Sequence, residues 1–265
     1  MTGAVCSADV GGTWLRVAVR VPGRRALLRT RIPFRLGDPV ERSLARALRR
    51  LGLRRVERLV LGARGVWLPR EKAALRARLR PLARKALVLS DLELARSAAF
   101  GDAPGLLLVA GTGSAAYGRG PGGKVGRFGG LGALLGDEGS AFWMGRAWLR
   151  LGPEPAALRA VKKPAPVRAV AARAREVLRR APRDARARRI VRTACADLAA
   201  LAESSARALR LRPPVPLAAA GGLFRSPLFA REFRRALAGR SLRFRVLPPG
   251  PPPEEAALSL LDSQP

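Results

Sequence analysis

The sequence predicts an α/β protein with two domains that repeat one plan. Near the amino terminus, two short apolar runs at residues 5–8 and 15–19 flank a glycine pair, Gly11 and Gly12. In the second half, the apolar run at residues 106–110 ends in a similar glycine turn. Such runs are typical of strands joined by tight turns. Helical periodicity follows each set of strands, and 265 residues are enough for two separate cores.

The first half has the order strand, strand, strand, helix, strand, helix, strand. This is the order of a ribonuclease H-like domain. Its right-handed crossovers make the later strands parallel, and ligands of such sheets bind at the carboxyl ends of the strands. The predicted strands are 5–8, 15–19, 26–32, 56–62 and 87–89, and the predicted helices are 40–51, 70–80 and 92–100.

The second half begins again with three strands, which indicates a duplicated fold. We therefore predict an N-terminal domain at 1–98, joined by a C-terminal helix at 254–265, and a C-terminal domain at 99–253 with a helical subdomain at 156–211. The strands of the second half are predicted at 106–110, 115–118, 124–128, 216–220 and 241–247, with helices from near 140, across 156–211 with a break at 181–182, and at 227–238.

Residues 9–16 form the first candidate site. Glycine has no Cβ, so Gly11 and Gly12 allow backbone N–H groups to approach an anion, and Thr13 adds a hydroxyl donor. Asp9 ends the first strand, where its carboxylate is suited to bind Mg²⁺ through water. The segment therefore predicts a phosphate-binding hairpin. A tight turn with a capping aspartate is the alternative.

A second glycine turn, with Gly111, Thr112, Gly113 and Ser114, follows a fully apolar strand. With this turn the chain resembles the N-acetylglucosamine kinase and BadF/BadG/BcrA/BcrD-type ATPase family, which includes sugar kinases of the actin-like ATPase superfamily. The family motifs Asp-x-Gly-Gly-Thr-x-x-Arg and Ala-Gly-Thr-Gly-Ser stand here at 9–16 and 110–114. The resemblance implies that both hairpins bind the phosphates of ATP. It adds Arg16 to the cofactor-binding residues and assigns Ser114 to the substrate.

The most specific signature lies at residues 129–145. Similar kinases carry Gly-Trp-Gly-x-x-Leu-Gly-Asp-Glu-Gly-Ser-x-x-Trp-x-Gly, from which this chain departs at Leu131. Glycines such as Gly130 let the loop lie flat against a ligand, and Asp137 and Glu138 precede a helix whose amino end stabilises carboxylates. We expect these residues to contact the sugar hydroxyls. A helix cap with first-turn acids is the alternative.

Asp91 follows a predicted strand at the ligand-binding end of the sheet. In the similar kinases, an aspartate at this place is the general base that takes the proton of the attacking sugar hydroxyl. The preceding residue is usually Asn or His in those kinases, and here it is Ser90. The alternative role for Asp91 is the N-cap of the following helix.

Gly221, Gly222 and Leu223 follow the strand at 216–220. They resemble the adenosine motif of the same kinases, in which the glycine pair lets the backbone pass under the base and the ribose. Taken alone, the segment is a strand-to-helix turn. As the third motif in the family's order, it predicts binding of adenosine.

The resemblance implies two ribonuclease H-like, or actin-like ATPase, domains around an interdomain nucleotide cleft. It also implies an ATP-dependent kinase of a hexose or amino sugar, with N-acetylglucosamine or glucosamine favoured, ATP and Mg²⁺ as cofactors, and Asp91 as base. The chain lacks the asparagine with which similar kinases contact the sugar, so another hexose or a non-sugar acceptor stays open. A BadF/BadG-type ATPase activator without sugar transfer, and a nucleotide-sensing or nucleic-acid-binding regulator, also stay open.

The chain is strongly basic, since Lys and Arg total 51 against 19 Asp and Glu, for a net charge of +32. The arginines are scattered without interleaved aromatic residues, which favours compositional bias over a nucleic-acid site. No apolar run is long enough for a membrane helix, and no signal peptide is evident. We therefore expect a cytoplasmic protein, with buried reduced thiols at Cys6 and Cys195. A homodimer stays open.

Overall fold

The computed structural model describes residues 3–35, 37–248 and 250–261, and the chain divides into two compact units. Unit 1 comprises Met1–Asp102 and Gly250–Pro265, and unit 2 comprises Ala103–Pro249. The boundary between the two units lies after Asp102. The expected boundary at 98 falls inside the helix Asp91–Phe100. Of the expected C-terminal helix at 254–265, residues 262–265 lie outside the described residues.

Unit 1 is built on a five-stranded sheet in which antiparallel and parallel pairs are mixed. Its strands are β1 Val5–Val10, β2 Trp14–Arg20, β3 Leu28–Pro33, β4 Val56–Ala63 and β5 Ala83–Ser90, and its helices are α1 Val40–Arg50, α2 Pro69–Leu79 and α3 Asp91–Phe100. The strand order is β3-β2-β1-β4-β5. β4 pairs in parallel with both β1 and β5, so the predicted parallel strands are confirmed.

Helices cover both faces of this sheet, because its central strands are apolar on both sides. On one face, α1 and α2 pack through residues such as Leu44 and Leu75. On the other face lie α3, through Leu94, and a C-terminal segment, through Leu258. The C-terminal segment consists of the short helix Pro253–Ala256 and the 3₁₀ turn Ala257–Leu261.

The prediction for β5 was too short. The strand begins at Ala83 rather than at residue 87, and its first residues pair with the start of β4. The search for apolar runs did not recognise the start of β5, because Arg84 and Lys85 are charged residues exposed on an edge strand. Charged side chains are common at such edges, where they prevent pairing with other chains.

Unit 2 repeats the plan of unit 1 with a second five-stranded sheet of order β10-β9-β6-β7-β8. The strands are β6 Gly105–Ala110, β7 Ser114–Arg119, β8 Val125–Gly129, β9 Val215–Ala220 and β10 Phe244–Val246. β6 pairs antiparallel with β7 and parallel with β9, as β1 does with β2 and β4. The predicted α/β class with two domains of one plan is therefore confirmed.

The helical part of unit 2 is more divided than predicted. Instead of two pieces across 156–211, four helices occupy this region, because prolines and short turns end each one early. The helices of unit 2 are α4 Gly132–Leu135, α5 Ala141–Arg150, α6 Glu154–Val161, α7 Pro166–Ala171, α8 Ala174–Arg180, α9 Ala185–Ala208 and α10 Pro227–Ala238, with a 3₁₀ turn at Gly222–Arg225.

The long helix α9 forms the centre of the core of unit 2. Cys195, Leu198 and Ala202 are fully buried along one side of it, among residues of the sheet and of α10. Cys6 is fully buried in β1, and burial raises the pKa of both thiols to about 12. In the part of the chain that the structure describes, every helix is too short or too polar to cross a bilayer.

Candidate functional site

The first glycine hairpin, residues 9–16, joins β1 to β2. Asp9 and Arg16 stand opposite each other in the ladder, and Nη1 of Arg16 donates to Oδ2 of Asp9 at 3.1 Å. The turn is closed by a bond of 3.0 Å from the Gly11 N–H to the Trp14 carbonyl. Thr13 is exposed at the tip, where its hydroxyl is accessible to a ligand.

Asp9 carries a largely buried carboxylate with two other acids near it. Its side chain is only 16% exposed, and its pKa is raised to about 6, mainly by this burial. The nearby Arg16 lowers the pKa, whereas repulsion from Glu254 and Asp91 contributes to the rise. Glu254 belongs to the C-terminal segment, is 9% exposed and has a buried Oε2 without a hydrogen-bond partner.

These acids fit a divalent cation, since a cation would offset both the repulsion and the orphaned oxygen. Within the described ranges, no group of three or more Asp, Glu, His or Cys side chains is arranged to hold a metal directly. This arrangement is compatible with a cation that keeps most of its water, as Mg²⁺ does. Asp9 is the residue we expect to hold it.

Asp91 lies at the same edge of the sheet as Asp9. The register aligns Asp9 with Gly62 of β4, and Gly62 with Leu89 of β5, so both acids stand at the carboxyl ends of their strands. Gly62 also lets α3 approach, because a Cβ there would lie 2.6 Å from Leu94. The packing of α3 thus fixes the position of Asp91 at its first turn.

The alternative role of Asp91 as a helix cap is wrong, because Ser90 is the N-cap of α3. The Ser90 hydroxyl accepts from the Glu93 N–H at 3.2 Å, and the Glu93 carboxylate accepts from the Ser90 N–H at 2.7 Å. This reciprocal pair is a capping box. Lys72 holds Glu93 in place by an ion pair of 2.6 Å. Ser90 and Glu93 thus form the capping box, while Oδ1 of Asp91 accepts from the Leu92 N–H at 3.0 Å.

The second glycine hairpin, residues 110–114, joins β6 to β7 and rests on the amino end of α5. The Ala141 N–H donates to the Gly111 carbonyl at 2.8 Å, and the Phe142 N–H donates to the Thr112 carbonyl at 3.1 Å. The first-turn N–H groups of α5, which lack partners within the helix, thus hold the carbonyl side of the turn. Thr112 is exposed at the tip, as Thr13 is in unit 1.

The side chain of Asp137 hydrogen-bonds to the backbone of this second hairpin. Its carboxylate accepts from the Ser114 N–H at 3.2 Å, and the Ser114 hydroxyl donates to the Glu138 carbonyl at 2.6 Å. A Cβ on Gly113 would lie 2.5 Å from the Asp137 carboxylate. Asp137 is 9% exposed and has a positive φ of 64°, a conformation that aspartate tolerates better than most residues. The N-cap of α5 is Ser140, so the capping alternative for Asp137 is wrong.

Glu138 differs from Asp137, because its side chain is exposed. Its carboxylate repels that of Asp197 on α9, and burial together with this repulsion raises the pKa of Asp197. Gly139 brings the loop against α9, since a Cβ there would lie 2.5 Å from the Ala194 carbonyl. Sequence reasoning missed Asp197, which the periodicity of α9 marks only as one polar residue on a helix.

The predicted adenosine corner lies beside the second hairpin. Gly221 has a φ of 105°, and a Cβ there would lie 2.3 Å from the Ala110 carbonyl. A Cβ on Gly111 would lie 4.0 Å from the Gly222 nitrogen. Two of the three predicted glycine motifs are therefore adjacent within unit 2. Leu223 is buried in the core of unit 2, which leaves its backbone as the part available to a nucleotide.

Gly130 stands at the end of β8 with a φ of 68°. A Cβ there would lie 2.9 Å from Ala115 and from Nη2 of Arg127, and Arg127 donates to the Gly130 carbonyl. The exposed residues of the following loop include Leu131, Leu134 and Leu135. Leu131 is the position at which the signature lacks its aromatic residue.

The two sheets with a glycine hairpin in each define the class of protein. They form the actin-like ATPase fold, and solved structures that share this fold include sugar kinases. The sequence profile of the BadF/BadG/BcrA/BcrD ATPase family matches residues 2–250. The chain belongs to this family.

Solved structures with a similar fold cover nearly the whole chain. A protein of Chromobacterium violaceum, provisionally named N-acetylglucosamine kinase, has 24% identity and a TM-score of 0.75, with 98% of this chain and 99% of that chain covered. A ROK family glucokinase of Streptomyces griseus, solved with glucose and AMPPNP, has 17% identity and a TM-score of 0.58, with 98% and 99% covered. These likenesses show the fold.

A shorter match is closer in sequence. N-acetylmuramic acid/N-acetylglucosamine kinase of Clostridium acetobutylicum is 39% identical over 61 residues. The match spans 23% of this chain and only 20% of that kinase.

Proposed function

We propose that the protein is an ATP-dependent carbohydrate kinase whose acceptor is a hexose or amino sugar, with N-acetylglucosamine or glucosamine first. Family membership and the sugar-kinase neighbours support this class of enzyme. The observation that carries the mechanism is the placement of Asp9 and Asp91 at the carboxyl edge of one sheet, with a single strand between them.

Asp91 acts as the general base in this proposal. The acceptor hydroxyl oxygen forms a bond to the γ-phosphorus of ATP while the bond from that phosphorus to the β,γ-bridging oxygen breaks. ADP leaves with the electron pair of the broken bond, and the hydroxyl proton passes to the Asp91 carboxylate. A base positioned in this way contributes about 100-fold to 10,000-fold in rate.

The remaining residues bind and orient the nucleotide. The hairpin residues Gly11, Gly12, Thr13, Thr112 and Gly113 contact its phosphates, and Gly221 and Gly222 contact its adenosine. Asp9 would hold Mg²⁺ through water, which when bound would neutralise phosphate charge. Asp137 and Ser114 have internal partners, so we assign them to holding the second hairpin. Gly130 and the exposed Glu138 remain the proposed contacts of the sugar.

A coupled ADP assay with Mg²⁺-ATP over a panel of sugars tests the proposal. We expect at least one hexose or amino sugar to raise turnover well above background hydrolysis. Asp91→Asn should then lower kcat by about 100-fold or more, with a nearly unchanged melting temperature, because asparagine keeps an oxygen that can accept from the Leu92 N–H.

Glu57→Gln is the matched control, since it makes the same chemical change near the amino end of β4, where Glu57 pairs with Arg84 at 3.0 Å. This control should keep the wild-type kcat. If no sugar stimulates ADP release, the kinase proposal fails and the ATPase alternative gains support. If a sugar does so and Asp91→Asn retains that rate, Asp91 is not the base.

A further inference from the structure

Arg64 lies at the tip of the first glycine hairpin, although no sequence motif includes it. It follows β4 directly, and its backbone N–H donates to the Val10 carbonyl at 3.2 Å. This bond places Arg64 beside the strand end that leads into the turn. A Cβ on Gly12 would lie 3.2 Å from Nη1 of Arg64. The guanidinium therefore lies against the turn that we propose to hold phosphate.

The Arg64 guanidinium is also available to a ligand. Its side chain is exposed, and no ion pair with it is found among residues 3–35, 37–248 and 250–261. Arg16, on the same hairpin, is already paired with Asp9. A planar guanidinium with unused N–H groups is suited to bidentate contact with phosphate oxygens.

The strand order places Arg64 between the two acids of the proposed site. β4 lies between β1 and β5, so the residue that follows β4 stands between Asp9 and Asp91 along the carboxyl edge. Neighbouring strands are about 4.8 Å apart, a spacing that the side chain of arginine can span. The transferred phosphoryl group would have to pass between the same two acids.

We propose that Arg64 contacts the γ-phosphate of bound ATP and stabilises the negative charge on its oxygens during transfer. This inference rests on the proposed kinase function. Arginine donates hydrogen bonds without giving up its proton, so Asp91 still receives the hydroxyl proton and ADP still leaves with the electron pair. The role of Arg64 is electrostatic, and such a donor is worth about 100-fold to 1,000-fold in kcat.

The test compares Arg64→Met with Arg55→Met, an exposed arginine that directly precedes the same strand at its opposite end. Both variants remove one positive charge, so the general field of the protein changes equally. We expect Arg64→Met to lower kcat about 100-fold, with the KM for sugar within about threefold of wild type. Arg64→Lys should recover part of the loss, and Arg55→Met should behave as wild type.

Binding measured by calorimetry gives a readout without turnover. We expect Arg64→Met to bind the non-hydrolysable analogue AMPPNP about tenfold more weakly than wild type, and ADP unchanged, because ADP lacks the γ-phosphate. Equal loss for both nucleotides, no loss for either, or the same loss in Arg55→Met would overturn the inference. If no sugar stimulates the wild type, the kinase proposal fails, while the AMPPNP and ADP affinities still decide whether Arg64 reads the γ-phosphate.

Discussion

The two glycine hairpins share a backbone plan but use their carboxylates differently. In unit 1, Asp9 lies within the hairpin, is crowded by Glu254 and Asp91, and has a raised pKa. In unit 2, Asp137 comes from a distant loop and accepts a hydrogen bond from the Ser114 N–H beneath the turn. The first carboxylate is therefore suited to bind a ligand, and the second is suited to hold the turn.

Each glycine turn needs contacts that hold its backbone in place, as well as space for a ligand. The second hairpin rests on the amino end of α5 and on Asp137. The first hairpin is held by its own strands and by the bond from the Phe34 N–H to the Thr13 carbonyl at 2.9 Å. An acid near a glycine turn can thus belong to the scaffold or to the chemistry, and only its partners tell which.

Asp9→Asn should separate stability from function most strongly. The folded protein raises the pKa of Asp9 from 3.8 to about 6, so its favourable contribution is present below pH 4 and is lost as the pH rises through about 6. Above that pH the ionised carboxylate costs about 3 kcal/mol. Asparagine removes this cost, so the variant should unfold less readily than wild type at pH 8 in EDTA, with no gain at pH 4.

The same variant should lose about 100-fold or more of its sugar-dependent ADP release, because the expected cation ligand is gone. Asp137→Asn is the control, and we expect no gain from it at pH 8, because asparagine only replaces the oxygen that accepts from the Ser114 N–H. Equal stabilisation by both substitutions would remove the distinction between the hairpins.

Gly113→Ala should be the next largest effect. The new Cβ would lie 2.5 Å from the Asp137 carboxylate, and overpacking of this kind costs about 2 kcal/mol. Gly111→Ala is the matched control, because its Cβ would meet only the Gly222 nitrogen at 4.0 Å. Urea unfolding of both variants would show the contrast, and equal midpoints would place Asp137 away from Gly113 in solution.

Asp137→Ala should destabilise the protein by about 2 kcal/mol, because the Ser114 N–H loses its partner in a buried place. Asp137→Asn should restore part of this loss, since asparagine keeps an acceptor oxygen and tolerates a positive φ. Thermal unfolding at pH 8 measures both. A loss in Asp137→Asn as large as in Asp137→Ala would indicate that the charge, and not the hydrogen bond, supports the second hairpin.

Ser114→Ala should give the smallest effect, about 1 kcal/mol, because it removes one hydrogen bond to the Glu138 carbonyl. The affinity for ADP should stay within about threefold of wild type, since the backbone of the turn is unchanged. Urea unfolding and calorimetry with ADP check the two expectations. A large loss of ADP affinity with unchanged stability would move Ser114 into the nucleotide site.

Local patterns predicted most of the fold. Glycine pairs between apolar runs mark both hairpins because turn and strand preferences act over a few residues. The cap of α3 is equally readable, since Ser90 and Glu93 form the Ser-x-x-Glu pattern of a capping box, although Asp91 beside them is also a residue type that caps helices. The start of β5 could not be read, because an exposed edge strand tolerates charged residues.

Several residues of the candidate site depend on contacts with residues far away in the sequence, and these contacts could not be predicted. The role of Asp137 depends on Ser114, and the crowding of Asp9 depends on Glu254 from the C-terminal segment. Arg64 lies against Gly12 only because β4 pairs with β1. No local pattern encodes these contacts. The sequence therefore predicted the motif residues, but it did not predict the distant residues that determine what each motif residue does.

The return of the C-terminal segment to unit 1 has a consequence for synthesis. Ala257, Leu258 and Leu261 complete one face of the core that β1 and α3 begin, yet they leave the ribosome after all of unit 2. Domains generally fold as units while the chain emerges. Unit 1 can therefore complete this face of its core only after unit 2 has been made.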